Sequence, residues 1–252
     1  THCIAHLNRL ELPAEDGHLE AADHISFPQT WHTFQAKDPT SNRLANYRVQ
    51  DLPPERVDDA IQHMCTHFLR DEPICRSLGL TDDPVGVREM ATVWQKVAQQ
   101  QCVVACFREE SDEIVGLNML TVVTRDDPAD SSKFESAAVR DFVNSTLYMT
   151  KQANLFETHQ VNCFLSAWGL SVHPAYRGLG IATEILRARI PFCRALGLTL
   201  SATVFSHPGS QVPAAKVGFE DAVVERFVDL AAKGYRLSVP VEFNKLMTLK
   251  VK

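Results

Sequence analysis

The residues with the clearest chemical potential form a turn, Arg177-Gly178-Leu179-Gly180-Ile181-Ala182, where an apolar run ending in Leu170-Ser171-Val172 gives way to a helical pattern. The first N–H groups of a helix have no internal partner, and the helix dipole adds partial positive charge there. Such a turn holds an anion, and a pyrophosphate suits it. Gly178 and Gly180 allow backbone conformations closed to larger residues, and with Ala182 they let a ligand approach the main chain. Arg177 can add a fork-shaped charged contact. No Gly-Lys-Ser/Thr follows, and the spacing is not that of the dinucleotide GxGxxG fingerprint. A second constellation is the carboxylate pair Asp71-Glu72 ahead of Pro73. It reads either as a solvated helix end or as a base. A carboxylate used as a base would take the proton from a nucleophile before it attacks. His63 and His67, four apart on a helical pattern, could share a metal. No HExxH motif or obvious third ligand accompanies them, so no metal is assigned.

The surrounding elements must position these groups. Residues 1–44 lack periodicity and are broken by Pro13, Pro28 and Pro39, which predicts a partly ordered extension. A first strand is expected around Tyr47-Arg48-Val49. Pro53-Pro54 then opens a helix whose apolar face is Val57, Ile61, Met64, Cys65 and Phe68. A second helix is expected over 84–100, a hairpin over 102–123 with Gly116 at a bulge or close approach, and a third helix over 134–156. After the glycine turn a helix runs to Leu196, with a kink expected near Ile190 because Pro191 lies inside it. Strands over 198–205, 222–228 and 241–251 follow, the last two able to pair antiparallel. This mixture predicts an α/β fold, with a sheet of parallel and antiparallel parts flanked by helices.

The chain has 252 residues, 45% of them hydrophobic, with a net charge of −6. That suffices for a full core and offers no basic surface for nucleic acid or an anionic membrane, so neither partner is expected. The seven cysteines are an odd number without CxxC pairs and sit mostly among apolar residues, as free thiols do in a reducing compartment. No apolar run approaches a membrane span and no signal-peptide core opens the sequence, so a cytoplasmic location is expected. A monomer is expected as well.

Four segments in order, Phe68-Leu69-Arg70-Asp71-Glu72-Pro73, the Ser171 to Ala182 turn, the Ser206 to Ser210 loop and the closing Lys216-Val217-Gly218-Phe219-Glu220, resemble the insect arylalkylamine N-acetyltransferases of the GNAT superfamily. In that superfamily the signature R/Q-x-x-G-x-G/A, here Arg177-x-x-Gly180-x-Ala182, holds the pyrophosphate of acetyl-CoA. The resemblance implies an N-acetyltransferase domain over 45–252 with the GNAT fold. It implies acetyl-CoA as co-substrate along Leu170, Ser171 and Val172 and on the turn from Arg177 to Ala182, and a small-molecule amine of the dopamine, serotonin and tyramine class as acceptor. Residue by residue, the acid of the family's D-E-P segment falls on Glu72, a general base acting through water, and the two serines fall on Ser206 and Ser210. Pro208, Gly209 and Pro213 interrupt the family's more regular helix start, which leaves His207 able to replace one serine as acid or base. The serines could instead cap a helix. Transfer would be direct, with main-chain N–H groups of the central strand facing the oxyanion and no cysteine nucleophile. Agmatine, a polyamine or histamine as acceptor, a longer acyl donor, a protein lysine, or a non-catalytic acetyl-CoA-binding module are the alternatives.

Overall fold

The computed structural model describes residues 27–109, 111–126 and 130–252. In chain order its strands and helices are β1 (Thr30–Lys37), β2 (Leu44–Asp51), α1 (Val57–His63), α2 (Leu69–Asp71), α3 (Pro73–Ser77), α4 (Pro84–Gln99), β3 (Val103–Arg108) and β4 (Ile114–Thr124). There follow α5 (Ala137–Ala153), α6 (Leu155–His159), β5 (Cys163–Val172), α7 (Ile181–Arg187), α8 (Arg189–Ala195), β6 (Leu200–Phe205), α9 (Pro208–Val217), β7 (Glu220–Arg226), α10 (Phe227–Ala232) and β8 (Phe243–Lys250).

These strands make one sheet in the order β1-β2-β3-β4-β5-β6-β8-β7. All neighbours are antiparallel except β5 and β6, which run parallel and register at a single pair, Leu165 opposite Ser201. The mixed α/β architecture matches expectation, but its edge does not. The boundary placed at residue 45 falls just inside β2 and would leave out β1, which lies antiparallel on β2 from Lys37↔Leu44 to Thr30↔Gln50. What ties β1 down is tertiary: the Trp31 indole N–H donates to Asp51 at 2.7 Å, and its ring meets the edge of Phe192 on α8 at 5.4 Å. The expectation for residues 1–26 lies outside the described residues.

The first helical pattern is one continuous rod in several geometries. A 3-10 turn over Pro54–Arg56 leads into α1, then a π-helical turn over Met64–Phe68, then α2. The expected third helix is shorter than its pattern, with Ser136 as N-cap and a break at Asn154, whose φ of +44° starts the short α6. Residues 227–228, read as strand, open α10 instead. The Pro191 kink falls at Ala188, between α7 and α8. Proline has no N–H to give to the carbonyl four residues back, so the break precedes it.

The main core lies between the sheet and the helices, centred on Trp94, Tyr47, Phe107, Phe192 and Met64. Gly116 is a close approach as expected: a Cβ there would lie 2.9 Å from the Ser171 carbonyl oxygen. β5 carries a bulge, since Met119 pairs with Gly169 but Leu120 pairs with Ala167, leaving Trp168 extra. Gly169 takes φ +141°, and a side chain there would press to within 2.6 Å of Met64.

Candidate active site

A cavity of about 1030 Å³ opens along the line where β5 and β6 part company. One wall is the bulged half of β5, Ser166 to Val172; the other is β6 from Ala202 to Phe205 with the start of α9. Parallel strands that register at one pair must separate beyond it, which is why the space exists.

The glycine turn forms one end. Gly178 and Gly180 take φ of +78° and +86°, and Gly180 is the N-cap of α7. Both are exposed and a Cβ at either would meet nothing within 4 Å, so the space outside the main chain is free for a ligand. Arg177, Gly178, Gly180, Ile181 and Ala182 all line the cavity. Leu179 does not; its side chain packs toward the core, so only its main chain faces outward. Ser171 is buried with its hydroxyl 3.0 Å from His63 Nε2, so it too could offer a ligand only backbone. The guanidinium of Arg177 is engaged: Nη2 donates to Asp71 at 2.6 Å and Nε to the Val172 carbonyl at 3.0 Å. Bonds from Arg70, together with Arg177, hold the Asp71 carboxyl down to about 2. The pairing of Arg177 with Asp71 across 106 positions of sequence had no signal in either segment.

Glu72 sits at the other side of the cavity, and local sequence explains its pose. A residue before proline is pushed out of the helical region. Glu72 has φ −70° and ψ +124°, ending α2 and serving as N-cap of α3. Its Oε2 accepts from the Cys75 N–H at 2.6 Å, and its Oε1 accepts from the Ser206 hydroxyl at 2.5 Å. The carboxylate thus takes two neutral donors. It is not a solvated helix end, and it takes no part in the ion pairs that Asp71 makes with Arg70 and Arg177. Beneath it Cys75 is fully buried; burial, then the neighbouring carboxylate, pushes its thiol well up. Cys163 is raised by burial as well, and neither thiol is disposed to ionise as a nucleophile. Cys65, Cys75, Cys106, Cys163 and Cys193 are free thiols.

Of the three polar residues expected after β6, the fold brings only Ser206 onto Glu72. His207 is exposed and caps α9, its Nδ1 accepting from the Gly209 N–H at 2.9 Å. The Ser210 hydroxyl donates to the His207 carbonyl at 2.9 Å. Both still line the cavity. The expected interruption of this helix start does not occur. Pro208 occupies the first helical position, where its missing N–H costs nothing, and α9 continues through Pro213.

His63 and His67 lie with ring centroids 4.8 Å apart, and His173 lies 4.8 Å from His67. Burial, then the charges of His67, His173 and Arg177, pulls His63 down to about 3, so it is neutral at pH 7. His63 is buried, more deeply than its sequence position suggested. Among the described residues no group of three His, Cys, Asp or Glu side chains is placed to hold a metal ion. No described helix is long and apolar enough to cross a membrane.

Comparison with known proteins decides what this arrangement belongs to. Residues 62–219 match the family model described as the acetyltransferase (GNAT) family. The chain belongs to that family. A candidate insect arylalkylamine N-acetyltransferase 7 of the yellow fever mosquito Aedes aegypti is 46% identical, with a TM-score of 0.88, over 92% of this chain and 98% of the other. Arylalkylamine N-acetyltransferase 2 of Aedes aegypti has a TM-score of 0.74 at 17% identity, over 82% of this chain and 99% of the other. A polyamine N-acetyltransferase of Drosophila melanogaster that forms N-acetylagmatine has a TM-score of 0.71 at 15% identity, over 81% of this chain and 100% of the other. At such identities the last two show a common fold. The GNAT fold read from the resemblance is therefore the fold observed, and the chain is an N-acetyltransferase of this family.

Proposed function

We propose that this GNAT enzyme transfers the acetyl group of acetyl-CoA directly to the primary amine of a small arylalkylamine. The observation that carries the reading is the cavity itself. It joins an open glycine turn suited to pyrophosphate to a carboxylate, Glu72, that holds only neutral donors. The acceptor's cation would be drawn to Glu72, which removes its proton directly or through water. The free amine attacks the thioester carbonyl, the N–C bond forms and the C–S bond breaks. The leaving thiolate takes a proton, for which the Ser206 hydroxyl is the group placed on Glu72. Main-chain N–H groups of β5 would face the oxyanion. Ser210 and His207, committed to the cap of α9, act on the position of that helix.

The walls favour an aromatic tail. Phe68, Phe134, Phe142, Phe156 and Trp168 line the cavity. A diamine or guanidine acceptor needs a second carboxylate at its far end. Of the other acidic residues there, Asp71 is held by Arg70 and Arg177, and Asp130 caps its own turn by accepting from Ser132. The deciding experiment is a CoA-release assay with acetyl-CoA against tyramine, dopamine, serotonin, histamine, agmatine, spermidine and a lysine peptide. Turnover highest with the aromatic amines is expected. Preference for agmatine or spermidine would overturn the acceptor class, and acetyl-CoA binding with no turnover of any amine would point to a non-catalytic module or a different acyl donor.

A further inference from the structure

Arg189, at the first position of α8, is fully buried and forms part of the cavity wall. Among the described residues no carboxylate pairs with it; its partners are neutral. Nε donates to Asn118 Oδ1 at 2.8 Å, and Nη1 donates to Thr203 Oγ1 at 2.6 Å and to Ser201 Oγ at 3.3 Å. Among the described residues Nη2 finds no hydrogen-bond partner. Burial draws its pKa down to about 10, which still leaves it charged at neutral pH. A buried cation without a counter-charge is expensive, and an apolar residue of similar volume would be the cheaper filling. Core filling alone therefore does not account for an arginine here, and what it reaches does.

It reaches the strands on either side of β5. Asn118 lies on β4, and its Nδ2 donates onward to the Gly169 carbonyl at 2.7 Å. Ser201 lies on β6, and its hydroxyl donates to the Leu165 carbonyl at 3.3 Å. Leu165 is where β5 registers with β6, and Gly169 is the glycine beside the Trp168 bulge. The two carbonyls bracket the three residues, Ser166 to Trp168, that face the cavity where the strands part. A guanidinium can do this because its donors form a rigid fork; a lysine ammonium is a single point of charge. The closing Lys216-Val217-Gly218-Phe219-Glu220 segment also finds a role here: the Arg189 guanidinium lies 5.9 Å from the Phe219 ring centroid, and Phe219 packs edge-on against Phe205 at 5.6 Å.

We propose that Arg189 is a positioning residue, acting through Asn118 on one side and Ser201 and Thr203 on the other to hold the Ser166 to Gly169 stretch of β5 at the separation from β6 that an acyl-CoA arm requires. The purpose assigned to that separation rests on the function proposed above; the strut itself does not.

Two measurements on Arg189→Met, Arg189→Lys and Thr203→Val test both parts. In the ligand-free protein, hydrogen exchange of the amides from Ser166 to Gly169 should quicken in all three, while that of β2 and β3 stays as in wild type. In steady-state assays the acetyl-CoA KM should rise about tenfold for the arginine variants, the scale of one lost hydrogen bond to a charged group, with amine KM within about twofold. Thr203→Val should shift in the same direction by less, and it carries the test if the arginine variants do not fold. An arginine that merely stabilises the core would lower Tm and the folded fraction but leave acetyl-CoA KM per folded molecule unchanged. Folded variants with wild-type exchange over Ser166 to Gly169 overturn the strut. Faster exchange with unchanged acetyl-CoA KM overturns its link to the acyl donor. Failure of the wild type to bind acetyl-CoA would instead sink the functional reading, and the exchange data would still decide the strut.

Discussion

Glu72→Gln separates chemistry from architecture more cleanly than any other single change. The carboxylate does two structural jobs, accepting the Cys75 N–H at 2.6 Å and the Ser206 hydroxyl at 2.5 Å. Glutamine keeps an oxygen for the Cys75 N–H, and its amide nitrogen can donate to a Ser206 hydroxyl that has turned round. Both contacts survive without their charge assistance, a loss of about 1 kcal/mol, or about 2–4 °C in Tm for a domain of this size. Alanine would instead leave the Cys75 N–H without its cap. Removing a general base costs about 10²–10⁴ in rate, equivalent to about 3–5 kcal/mol of barrier. The kinetic effect thus exceeds the stability effect severalfold. The assay is CoA release at saturating acetyl-CoA with varied tyramine, at pH 7 and again near the amine's own pKa. Expected are a drop in kcat/KM of at least about a hundredfold at pH 7, unchanged acetyl-CoA affinity, and a deficit that narrows as free amine becomes abundant. A variant within threefold of wild type at pH 7, or a deficit that ignores pH and follows acetyl-CoA affinity, would remove Glu72 as the base.

Gly180→Val should weaken acetyl-CoA binding by about tenfold or more in a folded protein. A φ of +86° costs a β-branched residue about 1–3 kcal/mol, and its side chain would project into space otherwise open to the ligand; unchanged affinity by calorimetry would refute the turn as the pyrophosphate site. Ser206→Ala should lower kcat severalfold with little change in amine KM, whereas Ser210→Ala, whose hydroxyl is spent on the His207 carbonyl, should cost less than about threefold. The reverse ranking would move the acid role to Ser210. Acid should destabilise the fold in a defined window. His63 is held neutral down to about pH 3 by burial, so between the unfolded value near 6.5 and about 3 the unfolded chain binds the extra proton. Stability then falls as pH drops through that range, by at most about 1.4 kcal/mol per pH unit for this residue. Asp71, lowered to about 2 chiefly by its bonds from Arg70, adds to the loss below about pH 4. Scanning calorimetry from pH 7 to 4 should show a falling Tm that His63→Gln flattens; a level Tm would contradict the burial.

Local chemistry made much of this protein legible in its residues. The glycine turn was readable because positive φ and free N–H groups are properties of a few adjacent residues, and Gly178, Gly180 and Ala182 do line the cavity. Glu72 was named through the resemblance, its local pattern leaving a solvated helix end open; what the local sequence does explain is its pose, because Pro73 forces the residue before it out of the helix. Helix 84–99 and the β3–β4 hairpin followed from periodicity. Tertiary structure decided whatever depends on residues distant in sequence meeting. β1 looked like a tail because its anchors, Asp51 and Phe192, lie 20 and more positions away. That Ser206, and not Ser210 or His207, meets Glu72 turned on which side of one helix start faces it, across 134 positions. The single β5–β6 pair, the Trp168 bulge and the buried Arg189 between them carry no pattern in the chain, since a strand that pairs and a strand that parts can share one alternation of side chains. Side-chain period says which face a residue takes; only the packed sheet says where its strands separate to admit a substrate.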